Sequence, residues 1–101
     1  MSEWKHTPGP WLLQETTVYA LNEERIPVNR FTASIDSGWR NEKSRISRKE
    51  VEANARLISA APELLEALEL VMDRLVDRHE SDEAAIMARV AIAKATGEEI
   101  K

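Results

Sequence analysis

Apolar and polar residues alternate one by one in the first third of the chain and recur every three or four residues in the second half. Residues 30–36 show the alternation most clearly: Phe31, Ala33 and Ile35 go to one face, Thr32, Ser34 and Asp36 to the other. Residues 17–21, Thr-Val-Tyr-Ala-Leu, are rich in β-branched and aromatic types, and residues 11–14 form a shorter apolar run before them. Glu15-Thr16 is short enough to join these two as a hairpin, without Asn-Gly turn chemistry. A third strand can begin near Ile26 and Val28, where Pro27 is tolerated only at an edge or bulge. The pattern predicts a three-stranded antiparallel meander with one face for helices, about the minimum for a stable sheet.

Ser47-Arg48-Lys49-Glu50 is a capping box that opens the helical half. Pro62 suits a helix's first turn and is costly in its interior, so two helices are expected, over residues 48–60 and 62–77. On a wheel of about 100° per residue, Val51, Asn54, Ala55, Leu57, Ile58 and Ala61 share one face of the first helix. Asn54 sits inside that apolar face, so a satisfied buried amide is expected, with free backbone groups of the Pro8-Gly9-Pro10 segment as candidate partners. In the second helix Leu64, Leu65, Ala67, Leu68, Val71, Met72, Leu75 and Val76 cover roughly twice the ~100° arc that one packing surface needs. The excess predicts a homodimer, with Leu65, Leu68, Met72, Leu75 and Val76 at the interface and Met72 and Leu75 near its centre. The competing arrangement has an Ala-rich third helix folding back over part of that surface. Ser81 is expected to cap this third helix, with Asp82 and Glu83 in its first turn and Gly97 as its stop.

The expected fold class is therefore α+β: a three-stranded antiparallel β-meander packed on two consecutive helices, followed by a short C-terminal helix. At 101 residues the chain is read as a single domain. It divides into an arm at residues 1–9, the meander at 10–36, a basic loop at 37–46, helices at 47–97 and a frayed tail at 98–101. The absence of Cys excludes disulfides and thiolate metal sites. No apolar run approaches the ~18 residues of a membrane span, and no signal layout opens the chain, so a cytosolic protein is expected.

Charge adds one feature. Net charge is −4, but residues 37–49 carry Arg40, Lys43, Arg45, Arg48 and Lys49 against Glu42 alone, a +4 segment between two acidic ones. With Trp39 beside them, these five cations could grip phosphates while the indole stacks on a base. The plainer reading is a solvated loop that balances acidic helices, and an overall pI near 5.2 favours it. His6 and His79 lack any spacing that would support a metal. No nucleophile elbow, Walker or dinucleotide pattern occurs. No catalytic residue, cofactor or metal site is therefore assigned, and the chain reads as non-enzymatic. Trp11, after Pro8-Gly9-Pro10, is expected to be structural, an indole packed over the sheet; a peptide-docking role is the alternative.

Two stretches also carry a resemblance: His6-Thr7-Pro8-Gly9-Pro10-Trp11, and the run from Glu52 to Leu68, EANARLISAAPELLEAL. Together they resemble a family of small tailed-bacteriophage and prophage proteins with HTPGPW near the N-terminus and ANARLIAAAP(D/E)LLEAL in the second half. Ala91-Ile92-Ala93-Lys94-Ala95-Thr96-Gly97-Glu98 is similar to the family's ending. The chain departs from the pattern at Ser59, where Ala is usual, and in its basic insert from Trp39 to Lys49. The resemblance implies an accessory phage or prophage product acting in the bacterial cytoplasm. It implies no specific chemistry. A protein that binds a host or defence-system macromolecule is the leading expectation, and nucleic-acid or nucleotide binding around Trp39 the alternative.

Overall fold

The alternating segments pair as expected. In the structure, a computed structural model that describes residues 5–25, 28–37, 45–74 and 82–98, β1 (Leu12–Gln14), β2 (Thr17–Leu21) and β3 (Asn29–Ser34) form one antiparallel sheet in the order β1-β2-β3. Helices α1 (Arg48–Ser59), α2 (Ala61–Arg74) and α3 (Glu83–Thr96) follow. The fold is α+β, with the strands ahead of the helices.

Register explains the core. Leu13 pairs with Val18 and Val18 with Ala33, while Ala20 pairs with Phe31, so these side chains share one face of the sheet. Val18 and Ala20 are completely or almost completely buried there. Helix α1 packs on β1 and β2 and supplies Val51 and Ala55, both buried. The hairpin turn puts Glu15 at φ 57°, a left-handed conformation that L-residues other than Asn and Asp adopt at a cost. At the other end of β2 the ladder slips: Leu21 pairs with Asn29, leaving Arg30 as the extra residue. Val28 lies before the strand, closing a turn through hydrogen bonds with Arg25 and Asn22, whereas Ile26 and Pro27 fall outside the described residues.

Helix α1 starts where the capping box places it. The Ser47 hydroxyl accepts from the Glu50 amide at 3.1 Å. The reciprocal bond from the Ser47 amide to the Glu50 carboxylate is not found among the described hydrogen bonds. Two details of the face differ from expectation. Leu57 is 63% exposed, although the wheel groups it with Val51 and Ile58. It lies at the edge of the apolar arc, and a single sheet contact of ~100° is filled by Val51, Ala55 and Ile58 alone. Asn54 is half-buried beside Val51 and Ala55, and no described hydrogen bond joins its amide to the Pro8-Gly9-Pro10 segment. A half-buried amide keeps access to water and needs no protein partner.

The Ala60 amide closes α1 by bonding back to Arg56 and Leu57, and α2 begins at the next residue, with Pro62 in its first turn. Asp82 caps α3, its carboxylate accepting from the Ala84 amide at 2.9 Å. This corrects the expected Ser81 cap by one residue; Asp and Ser are equivalent caps, and sequence alone does not choose between neighbours. Gly97 ends α3 at φ 78°, where the Gly97 and Glu98 amides both bond back to the Ala93 carbonyl.

The chain groups into two compact units, one of Thr7–Pro62 and one of Glu63–Lys101 with Met1–His6. The first holds the sheet and α1, the second α2 and α3. The sequence reading treats both as one domain. Among the described residues, no helix is long and apolar enough to cross a membrane.

Candidate interaction surfaces

The Pro-Gly-Pro-Trp segment folds back on itself at the edge of the sheet. Trp11 Nε1–H donates to the Thr7 carbonyl at 3.0 Å, closing a loop over Pro8, Gly9 and Pro10; the Gly9–Pro10 bond is cis. The indole is half-buried and meets Phe31 edge-on, with ring centroids 5.0 Å apart and planes at 78°. Extending the register by one residue sets Trp11 beside Ala20, in the same row as Phe31. Beside this loop lies a hollow of about 320 Å³, lined by Pro8, Gly9, Pro10, Leu12 and Leu21 together with Glu23, Glu24 and Arg30. Its two carboxylates and one guanidinium all belong to exposed residues. Sequence reasoning missed this hollow because β1 and β2 bring its walls together only once they are paired.

The basic segment is described in part. Trp39, Arg40 and Lys43 fall outside the described residues. Arg45, Arg48 and Lys49 are exposed, ahead of and within the first turn of α1. Arg48 Nε lies 3.3 Å from Glu52, an exposed i,i+4 pair of the kind worth at most ~0.5 kcal/mol. A hydrogen bond of 3.2 Å from the Ile46 amide to the Ser37 carbonyl ties the two ends of the segment together. Among the described residues, no three His, Asp or Glu side chains gather as a metal would need. His6 is half-buried, and His79 falls outside the described residues.

The third region is the pair α2 and α3. They line a cavity of about 360 Å³, with Leu68, Val71 and Met72 from α2 and Ala84, Ala85 and Ala88 from α3, next to Asp82. Of the residues expected at a dimer interface, Leu65, Leu68 and Met72 are half-buried, and Leu75 and Val76 fall outside the described residues. Leu68 and Met72 thus look towards the chain's own third helix. Among the described residues, the large apolar side chains left open here are Leu64, Leu70 and Val71 on α2, and Ile86, Met87 and Val90 on α3. Leu64, Ala67 and Val71 form one exposed stripe at helical spacing. The signal for α3 was present in the sequence, because Met87 and Val90 recur three residues apart opposite the buried Ala85. It was hidden by reading the helix for its alanines alone.

A profile of the Salmonella phage P22 protein Y8K6 family matches residues 1–99. The chain belongs to this phage protein family. The match embraces the Pro-Gly-Pro-Trp loop, both capped helices and the Gly97 stop, so family membership and fold cover the same residues. No curated protein and no solved structure matches the chain.

Proposed function

We propose that this is a non-enzymatic phage or prophage accessory protein that acts in the bacterial cytoplasm by binding a host or defence-system macromolecule. The observation that carries the reading is the exposed stripe of Leu64, Ala67 and Val71 along α2. Full burial of each large apolar side chain is worth ~1.5–3 kcal/mol, so a stripe of this kind supplies a binding face for an apolar groove or helix. Family membership supplies the phage context.

Capture from bacterial lysate, with and without nuclease, tests the proposal when the parent is compared with a Leu64→Glu/Val71→Glu variant. A partner that survives nuclease and is lost in the variant is the expected result. A partner that the variant still holds would remove α2 as the binding face. Capture of nucleic acid alone would instead favour the exposed cations Arg45, Arg48 and Lys49. Binding would then weaken steeply with salt, by a slope of about −0.7 to −0.9 per phosphate contact.

A further inference from the structure

The outward face of α3 carries a pattern that matches itself when reversed. Glu83, Met87, Val90 and Lys94 recur at intervals of four, three and four, the spacing of a helix seam. All four are exposed, Met87 by 65%, and Ile86 flanks them, while Ala85 is buried on the opposite side. The seam is acidic at its N-terminal end, apolar in the middle and basic at its C-terminal end. Among the described residues, neither the Glu83 carboxylate nor the Lys94 ammonium has an ion pair within the chain.

We infer that α3 pairs antiparallel with α3 of a second copy of this chain, with Glu83 of each copy against Lys94 of the other and Met87 against Val90. Only the antiparallel orientation does this. A parallel pair would set Glu83 against Glu83 and Lys94 against Lys94, with like charges at both ends. The antiparallel pair has a two-fold axis crossing the seam midway between Met87 and Val90, so one patch serves both subunits. Ala91 and Ala95, both exposed, lie along one flank of the seam and put no bulk between the two helices. This interface differs from one centred on Met72, which lines a cavity with α3 of its own chain. A seam carried by one 14-residue helix is smaller than a standard interface, so a weak dimer in the micromolar range of ~1–100 µM is expected. The inference shares with the proposed function only the premise that this unit works through exposed surface, and it leaves the α2 stripe for another partner.

Charge reversal tests orientation as well as association. In sedimentation equilibrium, Glu83→Lys alone and Lys94→Glu alone should each weaken the dimer by roughly tenfold or more, because both ends of the two-fold seam then carry like charges. An equimolar mixture of the two single variants should associate at least as tightly as the parent, since each lysine of one then meets a glutamate of the other. The double variant Glu83→Lys/Lys94→Glu should dimerise like the parent. Restoration on mixing also shows that neither single variant failed to fold. A parent that stays monomeric to about 1 mM, or single variants that dimerise unchanged, would overturn the inference. So would a mixture no tighter than its components. Leu64→Glu, on the α2 stripe and outside the cavity shared with α3, should leave the dimer mass unchanged, so failure of the α2 reading and failure of this one are told apart.

Discussion

The two compact units differ in the apolar residues they bury. In the unit Thr7–Pro62, Val18 and Ala55 are 0% exposed, Ala20 and Val51 nearly so, and Trp11 meets Phe31 edge to face over the same side of the sheet, with Leu13, Leu21, Val28 and Leu57 left exposed around this core. In the unit that holds α2 and α3, the buried hydrophobics among the described residues are two alanines, Ala85 and Ala93, while Leu64, Leu70, Val71, Ile86, Met87 and Val90 stay exposed. A sheet with one covered face uses a period of two, and one helix is enough to close it. A helix with an apolar arc wider than one packing surface has an apolar surplus. The first unit is built to hold itself together, and the second has surface to offer.

The largest expected effect is on the self-contained unit. Trp11→Ala removes the edge-on contact with Phe31 and the indole bond to Thr7. Because the indole is half-buried, the cost should be near the lower end of the usual range, about 3 kcal/mol, read as a lowered urea midpoint. An unchanged midpoint would mean that the Pro-Gly-Pro-Trp loop contributes nothing to the sheet.

Cap removal sharpens the contrast. Ser47→Ala and Asp82→Ala should each cost about 1 kcal/mol, since each removes one amide acceptor at a helix start. Amide exchange should rise mainly in α1 for the first and mainly in α3 for the second. Equal rises throughout the chain in both variants would show that the two units open together.

Smaller still is the hairpin turn. Glu15→Gly relieves a left-handed backbone at φ 57° and should raise the thermal midpoint, a gain of about 0.5 kcal/mol after the extra chain entropy of glycine is counted. A lower midpoint would mean that the turn is held by the glutamate side chain. Smallest of all, Met87→Gln should change the stability of the dilute chain by less than about 0.5 kcal/mol, because the side chain is already in water. A cost comparable to that of Trp11→Ala would show that Met87 is packed, and the contrast between the units would fail.

The elements that sequence reveals best are those fixed by local chemistry. Phe31, Ala33 and Ile35 alternate inward as their spacing says, Ser47 caps α1, and Gly97 ends α3 in the one conformation that favours glycine. What stayed hidden depends on partners distant in sequence. The exposure of Leu57 follows from the width of the sheet contact, which no wheel contains. The hollow beside Pro8-Gly9-Pro10 exists only when β1 and β2 are paired. The surplus apolar arc of α2 was legible, but not its division between Leu68 and Met72, which line the cavity with α3, Leu64, which is exposed away from it, and Val71, which is exposed at the cavity's rim. For the basic segment, sequence supplies Arg45, Arg48 and Lys49 as neighbours, and the structure adds their exposure.

A dilution series followed by amide ¹H–¹⁵N NMR tests the contrast most directly. Between roughly 10 µM and 1 mM, a range that spans a weak dimer, resonances of Glu83, Met87, Val90 and Lys94 should move together along one binding curve, while those of Val18, Ala20 and Phe31 stay fixed. Shifts that are absent from α3, or that spread equally through the sheet, would contradict the account.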